Sequence, residues 1–514
     1  MDVGYILRRV EDDIQTVDPE QTAVRIEADE SWTYGELNAL TNQYANALEQ
    51  FGVRKGDSVS ILLYNSIEYV ALYFAIAKLG AIAVRLNFRL ESEELEYVLR
   101  DSETSVLCFD ATLAENIAKI RDRVPVITFI CYGSAAPDWA YAWSRMTETS
   151  NVFSSKEIFD KADPVMLMYT SGTTGNPKGA LWSHENTLWF ASMQVMKWGF
   201  TSDTKGMTTG PLYHVGALED IAIAVLLAGG TVVFSKSSGF QIEHTLDIIE
   251  AHQVTDCFMF PFMIYDMLKS PAIDTYALTS LKRIYTGGDP LTTWAIDTLE
   301  AKFPQIDLIQ VFGLTEGTPI ATALDPGNST AKHYTAGKPM PFTQIKITDD
   351  ASRSLKANEI GEICVKGPAV VDSYWNKPEK SAETFVDGWC HTGDLGYLDE
   401  DGYLTISGRK KDMIRSGGEN IYPVEVENVL IRHEAIQDVA VIGLPDEKFI
   451  EKVCAVIVLK SGPTLAKAEL KDFLKGKLAS YKKPRQVEFI TELPRTASGK
   501  VQKYKLREMY ASHN

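Results

Sequence analysis

A loop over residues 169–179 joins glycines, hydroxyl side chains and a lysine directly after a short apolar run. The run from Val165 to Met168 predicts a buried strand, and the glycines behind it let backbone N–H groups approach an anion closely. Hydroxyl groups can donate hydrogen bonds to phosphate oxygens, and the lysine adds a positive charge. The sequence therefore predicts a phosphate-binding loop at the end of a strand. The residues that carry this prediction are Thr170, Ser171, Gly172, Thr173, Thr174, Gly175 and Lys178.

Two other interpretations of the loop fit less well. The P-loop of kinases and NTPases needs four residues between its glycines and a hydroxyl residue after its lysine. Here Gly172 and Gly175 lie closer together, and Gly179 follows the lysine. An ordinary surface turn rarely places four hydroxyls and a lysine among glycines directly after a buried strand.

Length and charge narrow the class of protein. A chain of 514 residues is long for a single core, so two or more domains are expected. The net charge of −18 argues against nucleic acid as a partner, because phosphate backbones demand a basic surface. Residues 1–13 carry charges early and lack an apolar core, so no secretory leader is expected, and the apolar stretch 221–234 is too short to form a transmembrane segment. Six cysteines without metal or redox spacing fit reduced thiols, so a cytoplasmic protein is expected, with a homodimer left open.

Helix and strand patterns alternate along most of the chain and predict an α/β fold with a largely parallel sheet. Around Gly408 a short charged segment lies between two apolar strands, and a compact α+β pattern follows it, with a helix expected from Thr464 to about Leu478. We therefore expect a large N-terminal domain of layered sheets and helices over residues 1–409. A hinge is expected at residues 410–411, followed by a small mobile α+β domain over residues 412–514.

Further motifs stand at the ends of predicted strands or near the C-terminus. Open α/β sheets bind their ligands at the carboxyl ends of the strands. The motifs are Phe312-Gly313-Leu314-Thr315-Glu316, Gly287-Gly288-Asp289, Thr392-Gly393-Asp394, Gly417-Gly418-Glu419 and Ser498-Gly499-Lys500.

Taken in their order along the chain, the motifs resemble those of the adenylate-forming superfamily of acyl-CoA synthetases, adenylation domains and firefly luciferases. The resemblance covers about residues 27–507. It implies that the phosphate-binding loop holds the β- and γ-phosphates of ATP. It further implies an adenine site bordered by Phe312, Gly313, Gly287, Gly288 and Asp289. Thr315 would contact phosphate, and Glu316 would hold Mg²⁺. Asp394 and Arg409 would bind the ribose.

The C-terminal motifs imply roles in catalysis and in the second half of a reaction. Lys500 resembles the lysine that bridges the carboxylate substrate and the α-phosphate during adenylation. By the same resemblance, Gly417, Gly418 and Glu419 line a tunnel for the pantetheine of CoA, and Lys411 marks the hinge.

The acyl pocket is the least readable part of the sequence. Residues 211–216 resemble the segment in which an aromatic residue precedes a histidine, so His214 is a candidate catalytic residue beside the carboxylate or the pantetheine channel. A buried, hydrogen-bonded histidine is the alternative. Glu219 and Asp220 would favour a polar or basic acid if either faced the pocket, although such residues more often turn away. Candidate pocket walls, each of which could be ordinary core, are Trp189, Val215, Phe262 and Thr318.

The expected activity is that of an ATP-dependent acyl-CoA synthetase that uses Mg²⁺, CoA and a small carboxylic acid. Two alternatives stay open: a stand-alone adenylation enzyme that loads a carrier protein, and a non-catalytic nucleotide-binding homologue. The sequence departs from the family at three places. Phe312 stands where a tyrosine is common, Asp289 where a small residue is usual, and Phe449-Ile450 where many relatives have an aromatic residue and a glycine.

Overall fold

The computed structural model describes residues 2–12, 17–27, 30–153, 159–170, 176–237, 239–288, 291–327, 332–417, 419–460, 462, 464–495 and 501–511. Four of the sites predicted from the sequence lie wholly or partly outside these ranges. They are residues 171–175 of the phosphate-binding loop, Asp289, Gly418 and Lys500, with Ser498-Gly499 before it.

Within the described ranges the chain forms β-sheets covered by helices. The strands are β1 (Thr22–Ile26), β2 (Glu30–Thr33), β3 (Ser58–Leu62), β4 (Ile82–Arg85), β5 (Val106–Asp110), β6 (Thr128–Tyr132), β7 (Tyr141–Ala142), β8 (Pro164–Thr170), β9 (Lys178–Ser183), β10 (Lys205–Thr208), β11 (Thr231–Phe234), β12 (Asp256–Phe258), β13 (Arg283–Thr286), β14 (Asp307–Phe312), β15 (Thr322–Ala323), β16 (Lys338–Pro339), β17 (Gln344–Thr348), β18 (Gly361–Lys366), β19 (Phe385–Val386), β20 (Trp389–Leu398), β21 (Leu404–Arg409), β22 (Ile414–Ser416), β23 (Glu419–Ile421), β24 (Ile436–Asp446), β25 (Ile450–Leu459) and β26 (Gln486–Phe489).

The helices are α1 (Tyr5–Asp12), α2 (Tyr34–Gln50), α3 (Ile67–Leu79), α4 (Ser92–Asp101), α5 (Ala114–Ala118), α6 (Ser144–Thr147), α7 (His184–Trp198), α8 (Val215–Ala217), α9 (Ile223–Ala228), α10 (Ile242–His252), α11 (Pro261–Lys269), α12 (Thr293–Lys302), α13 (Pro378–Thr384), α14 (Pro423–Leu430), α15 (Lys467–Phe473) and α16 (Lys503–Ala511). None of the helices in the described ranges is both long and apolar enough to cross a bilayer.

Two largely parallel sheets make up most of the large domain. One has seven strands in the order β7-β6-β5-β3-β4-β8-β9, and only the β8–β9 pair is antiparallel. The other has nine strands in the order β16-β15-β14-β13-β12-β10-β11-β1-β2, with antiparallel pairs at its two edges. Helices such as α3 lie buried against these sheets: Ser66 caps its N-terminus, and Gly80 ends it at φ +70°. The α/β prediction is confirmed.

Two smaller sheets complete the fold. The first is antiparallel, with the order β17-β18-β20-β19 and β21 beside β20. The second has the order β23-β22-β25-β24 with β26 beside β25, and the residues from Ile414 onward bury apolar clusters of their own. This is the expected small α+β domain. The helix predicted from Thr464 to Leu478 is shorter at both ends. It begins at Lys467, after the N-cap residue Ala466, and ends at Phe473, and Gly476 beyond it adopts φ +75°. The boundaries at 409 and 412 remain a prediction.

A buried ion pair joins the two large sheets. Arg85, at the end of β4, donates to both carboxylate oxygens of Glu219 at 2.7 and 2.6 Å, and both side chains are fully buried. Glu219 lies in the kinked segment Leu218–Ala222, which connects α8 to α9 against the nine-stranded sheet. Fork-shaped guanidinium pairing of this kind satisfies both charges at once. The pair therefore fixes the segment that follows His214.

We expect Glu219→Gln to lower the free energy of unfolding by about 3 to 5 kcal/mol, because it leaves Arg85 buried without its counter-charge. The exposed pair Lys119–Glu115, with side chains 54% and 87% exposed, gives a matched control. Glu115→Gln should change stability by less than about 1 kcal/mol. Denaturant unfolding followed by circular dichroism measures both, and equal effects of the two substitutions would contradict the role given to the buried pair.

Candidate functional site

The β8–β9 hairpin presents the stem of the phosphate-binding loop. Its register places Thr170 opposite Lys178, so the two ends of the loop lie side by side. The hydroxyl of Tyr169 donates to Asp101 at 2.8 Å, which fixes the end of β8 against α4. Residues 171–175 lie outside the described part of the chain, and their contacts with phosphate remain a prediction.

Glu316 is the point at which the separate motifs meet. Its Oε1 accepts hydrogen bonds from Thr170 Oγ1 at 3.0 Å and from the Tyr374 hydroxyl at 2.9 Å. Lys178 Nζ lies 4.8 Å from the centre of the Tyr374 ring, a cation–π distance. Burial, reinforced by the nearby Glu316 charge, raises the pKa of Tyr374, so its phenol stays protonated and remains a donor. The Glu316 carboxylate thus lies close to the hydroxyls of Thr170 and Tyr374, with the Lys178 ammonium group on the Tyr374 ring.

These oxygens suit a magnesium ion that is shared with phosphate. Magnesium is usually held by one or two carboxylates plus phosphate oxygens rather than by an all-protein cage. In the described ranges no group of three or more His, Cys, Asp and Glu side chains could hold a metal by itself. Glu316 with the neighbouring Thr170 hydroxyl fits the shared arrangement.

The ends of β13 and β14 lie next to each other beside this cluster. A Cβ at Gly287 would lie 2.7 Å from the Val311 side chain, so the two strand ends touch there. A Cβ at Gly313 would lie 2.2 Å from the carbonyl oxygen of Pro319, which only glycine avoids. Phe312 is half-buried and packs against the apolar cluster around Ile363, while the carbonyl of Thr315 accepts from Trp182 Nε1 at 3.2 Å. Asp289 lies outside the described residues.

Asp394 and Arg409 face each other across β20 and β21. Arg409 Nε lies 2.7 Å from Asp394 Oδ1, and the Asp394 carboxylate is 8% exposed. Thr392 Oγ1 accepts from the Asp394 backbone N–H at 3.0 Å and so holds the turn. A cavity of about 380 Å³ lies beside the pair. The arginine and lysine side chains that line it make it suitable for an anionic group. Its lining residues are Thr392, Gly393, Arg409, Lys410 and Lys411.

The predicted hinge lies in a 3₁₀ turn over Lys410–Asp412. Lys410 Nζ lies 2.9 Å from Asp350 Oδ1 and 3.3 Å from Glu362 Oε2, so this side chain is tied to the five-stranded sheet of the large domain. Lys411 is exposed at its surface, although partial desolvation lowers the pKa of its ammonium group. The predicted hinge is therefore a short turn whose first residue is held by two ion pairs.

The residues predicted to line the CoA tunnel lie at the start of the small domain. Gly417 adopts φ +62° between β22 and β23, and its N–H donates to the carbonyl of Phe449 at 2.9 Å. A Cβ at Gly417 would lie 3.1 Å from the Phe449 ring. Glu419 follows at the start of β23, exposed, whereas Gly418 lies outside the described residues. Phe449, the first residue of the pair at which the sequence departs from the family, thus lies directly against Gly417 of the predicted tunnel.

The candidate acyl-pocket residues are only partly brought together. His214 Nδ1 accepts from the Gly216 N–H at 3.0 Å, and its ring meets the Phe260 ring edge to face at 6.1 Å. Phe262 stacks on Phe260 at 6.4 Å, and Val215 is buried beside His214. Trp189 packs instead against Phe342, which is largely exposed.

Thr318, another predicted pocket residue, is fully buried in the left-handed region at φ +72°. No described residue hydrogen-bonds its hydroxyl. A β-branched residue at positive φ is strained, and such strain concentrates at functional sites. The prediction that Thr318 faces the acyl pocket remains untested.

Tyr374 is the site residue that the sequence did not indicate. It follows β18 and reaches Glu316 because an antiparallel bridge to Ala180 brings its backbone beside β9. The Trp375 N–H continues this contact by donating to the carbonyl of Gly179 at 2.8 Å. No motif or residue spacing around Tyr374 marks it as a site residue in the sequence. Its place in the site follows only from the pairing of its backbone with β9.

Comparison with known proteins assigns most of the chain to one family. Residues 12–375 match the family model of AMP-binding enzymes, and residues 425–500 match the C-terminal domain of AMP-binding enzymes. An indoleacetate–CoA ligase of Aromatoleum aromaticum is 36% identical over 96% of both chains, and a feruloyl-CoA synthase of Amycolatopsis sp. is 36% identical over 96% of both. A solved anthranilate CoA ligase in complex with anthranoyl-AMP superposes with a TM-score of 0.91 at 30% identity, covering 99% of this chain and 97% of that one.

We expect Tyr374→Phe to weaken binding of Mg-ATP by about 10- to 100-fold, because the Glu316 carboxylate loses a hydrogen bond that contributes about 1.5 to 3 kcal/mol to holding it in place. Tyr374→Leu should weaken it further, since it also removes the ring beneath Lys178. Titration calorimetry measures both. Tyr403, whose ring lies 4.6 Å from Lys338 Nζ, supplies the control, and Tyr403→Phe should bind Mg-ATP like the wild type. Wild-type affinity in Tyr374→Phe would remove this residue from the nucleotide site.

Proposed function

Because the chain belongs to the family of AMP-binding enzymes, we propose that it is an AMP-forming ligase that joins a carboxylic acid to CoA. The observation that carries the proposal is the meeting of Thr170, Glu316 and Tyr374, with Lys178 beside them, at the ends of two sheets. This is where the phosphates of a nucleotide would lie. The Asp394–Arg409 pair supplies a second polar site, suited to ribose hydroxyls.

In the first half-reaction, a carboxylate oxygen of the acid attacks the α-phosphorus of ATP. The bond from that phosphorus to the bridging oxygen of the β-phosphate breaks, giving an acyl-adenylate and pyrophosphate. The loop from Thr170 to Lys178 would hold the departing phosphates, and Lys500 would lie between the two reacting anions. Magnesium bound at Glu316 would supply further positive charge to the phosphate oxygens. Positioning and charge neutralisation are the contributions of the protein.

In the second half-reaction, the sulfur of CoA attacks the acyl carbon. The bond between that carbon and the phosphate oxygen breaks, AMP leaves, and the thiol proton is released. We propose that rotation about Lys411 withdraws Lys500 and brings Gly417, Gly418 and Glu419 to the acyl group. The short anchored turn at residues 410–412 supports a hinge at this position.

We propose an aromatic acid as the substrate class. The indoleacetate, feruloyl and anthranilate ligases that resemble this chain act, by their names, on aromatic acids. The rings of Phe258, Phe260 and Phe262 lie in contact beside His214 and offer an aromatic wall for such a ligand.

We also propose that the protein works in the cytoplasm. Its six cysteines are all buried free thiols, which suits a reducing compartment. ATP and CoA, the proposed co-substrates, are supplied there.

The proposal is tested by measuring AMP and thioester formation with ATP, CoA and a panel of aromatic and aliphatic acids. AMP release that requires both an acid and CoA would support it. Turnover on a phosphopantetheinylated carrier protein but not on CoA would favour a stand-alone adenylation enzyme instead. Absence of acid-dependent pyrophosphate exchange with every acid would leave only a nucleotide-binding protein.

We expect Lys500→Ala to reduce acid-dependent pyrophosphate exchange at least about 100-fold, the effect of removing one group that stabilises developing charge. Thioester formation from a supplied acyl-adenylate should stay close to that of the wild type. Lys505→Ala, at an exposed lysine on the same C-terminal segment, is the control and should preserve both half-reactions. Equal losses in the two half-reactions of Lys500→Ala would contradict the assignment.

We expect Lys411→Pro to have the opposite pattern, because proline restricts backbone rotation at the hinge. Pyrophosphate exchange should persist while thioester formation from the acyl-adenylate slows. Lys411→Ala removes the same side chain without restricting the backbone and should retain the second half-reaction. An unchanged rate of thioester formation in Lys411→Pro would argue against a hinge at this residue.

A further inference from the structure

Asp101, the last residue of α4, contacts two segments that lie far apart in the chain. Its side chain is 9% exposed, and both carboxylate oxygens have partners. Oδ2 accepts from the Tyr169 hydroxyl at 2.8 Å, and Oδ1 pairs with the Lys377 ammonium group. The Asp101 backbone carbonyl also accepts from Trp375 Nε1 at 3.0 Å. One residue of α4 therefore holds both the end of β8 and the segment that leads into α13.

These are the same two segments that meet at Glu316. Thr170 and Tyr374, which both donate to Glu316 Oε1, lie one and three residues from the side chains that Asp101 holds. Asp101 thus sets the backbone positions from which the two donors reach Glu316. A change at Asp101 would shift these donors relative to each other while leaving their own side chains intact.

The second arm of the phosphate-binding loop is also fixed to α4. Tyr97, one helical turn before Asp101, donates from its hydroxyl to the carbonyl of Pro177 at 3.1 Å. Pro177 directly precedes Lys178, the cation of the loop. Through Tyr169 on one arm and Pro177 on the other, a single helix end determines where both arms of the loop lie.

The Asp101 carboxylate is itself held in one orientation. Burial, and after it the Asp101 charge, raises the pKa of Tyr169, so the phenol stays protonated and remains a donor. The hydrogen bond to Asp101 raises the pKa of Lys377, so that side chain stays charged. A charge-assisted pair on one oxygen and a phenol on the other leave the carboxylate little freedom to rotate.

From these contacts we propose that Asp101 is a positioning residue that places Thr170, Tyr374 and Glu316 for the β- and γ-phosphates of Mg-ATP. The inference rests on the proposed ligase function and adds to it a residue that acts through its neighbours. Removing a group that orients the direct ligands of a metal typically costs about 10- to 100-fold in metal affinity or activity. Because AMP lacks the β- and γ-phosphates, Asp101 should matter for Mg-ATP and pyrophosphate and not for AMP.

Titration calorimetry of the full chain with Mg-ATP and with AMP tests this selectivity. We expect Asp101→Ala to weaken Mg-ATP binding about 10- to 100-fold and to change the affinity for AMP less than about 3-fold. Tyr169→Phe removes one contact of the carboxylate and keeps the Lys377 pair, so it should weaken Mg-ATP binding by a smaller factor. This milder variant keeps the inference testable if Asp101→Ala does not fold.

Asp399→Ala is the matched control. Asp399 likewise pairs with a lysine, since its Oδ2 lies 2.7 Å from Lys332 Nζ, and its side chain is 18% exposed. It lies in the turn between β20 and β21, away from the strands that carry the loop. The substitution should lower the thermal stability and leave the affinity for Mg-ATP unchanged.

The two half-reactions give a second readout. In acid-dependent pyrophosphate exchange, Asp101→Ala should raise the KM for Mg-ATP and for pyrophosphate by about 10-fold or more and leave the KM for the acid unchanged. Thioester formation from a supplied acyl-adenylate involves neither of these phosphates and should keep the wild-type rate. Equal losses in both half-reactions would indicate a purely structural role and overturn the inference.

The remaining outcomes are distinct. Wild-type affinity for Mg-ATP in folded Asp101→Ala, or equal weakening of Mg-ATP and AMP binding, would overturn the inference while the ligase function stands. Since Asp101 and Tyr169 act through one contact, their combined substitution should weaken binding by less than the product of the single effects, and a full product would also overturn it. If no acid supports CoA-dependent AMP release in the wild type, the ligase function fails, and the calorimetric comparison still decides the role of Asp101.

Discussion

The carboxylate of Glu316 is the contact on which the candidate site depends. One of its oxygens accepts from Thr170, at the end of the seven-stranded sheet, and from Tyr374, in the segment that leads to α13. Glu316 itself follows β14 of the nine-stranded sheet. A single acceptor thus ties three separately built parts of the large domain together. A nucleotide bound there would contact all of them, so binding and the relative placement of the sheets are physically linked.

Much of this site could be predicted from the sequence because its signals are local. A strand followed by glycines and hydroxyls and a strand followed by Phe-Gly-x-Thr-Glu each occupy a few consecutive residues. The structure agrees with the strands expected before both motifs.

The contacts that the sequence did not predict are non-local. Tyr374 lies 58 residues from the glutamate to which it donates, and Arg85 lies 134 residues from Glu219. No periodicity or spacing reports such pairs, because they depend on how one sheet packs against the other. The length of α15 was overestimated for a related reason: apolar spacing continued past Phe473, whereas the backbone at Gly476 had already left the helical region.

The pairing of Glu219 with Arg85 has an evolutionary consequence. Both side chains are fully buried and stand 134 residues apart in the sequence, so a change of either one alone leaves a buried charge without its partner. A lineage must therefore keep both residues or exchange both together.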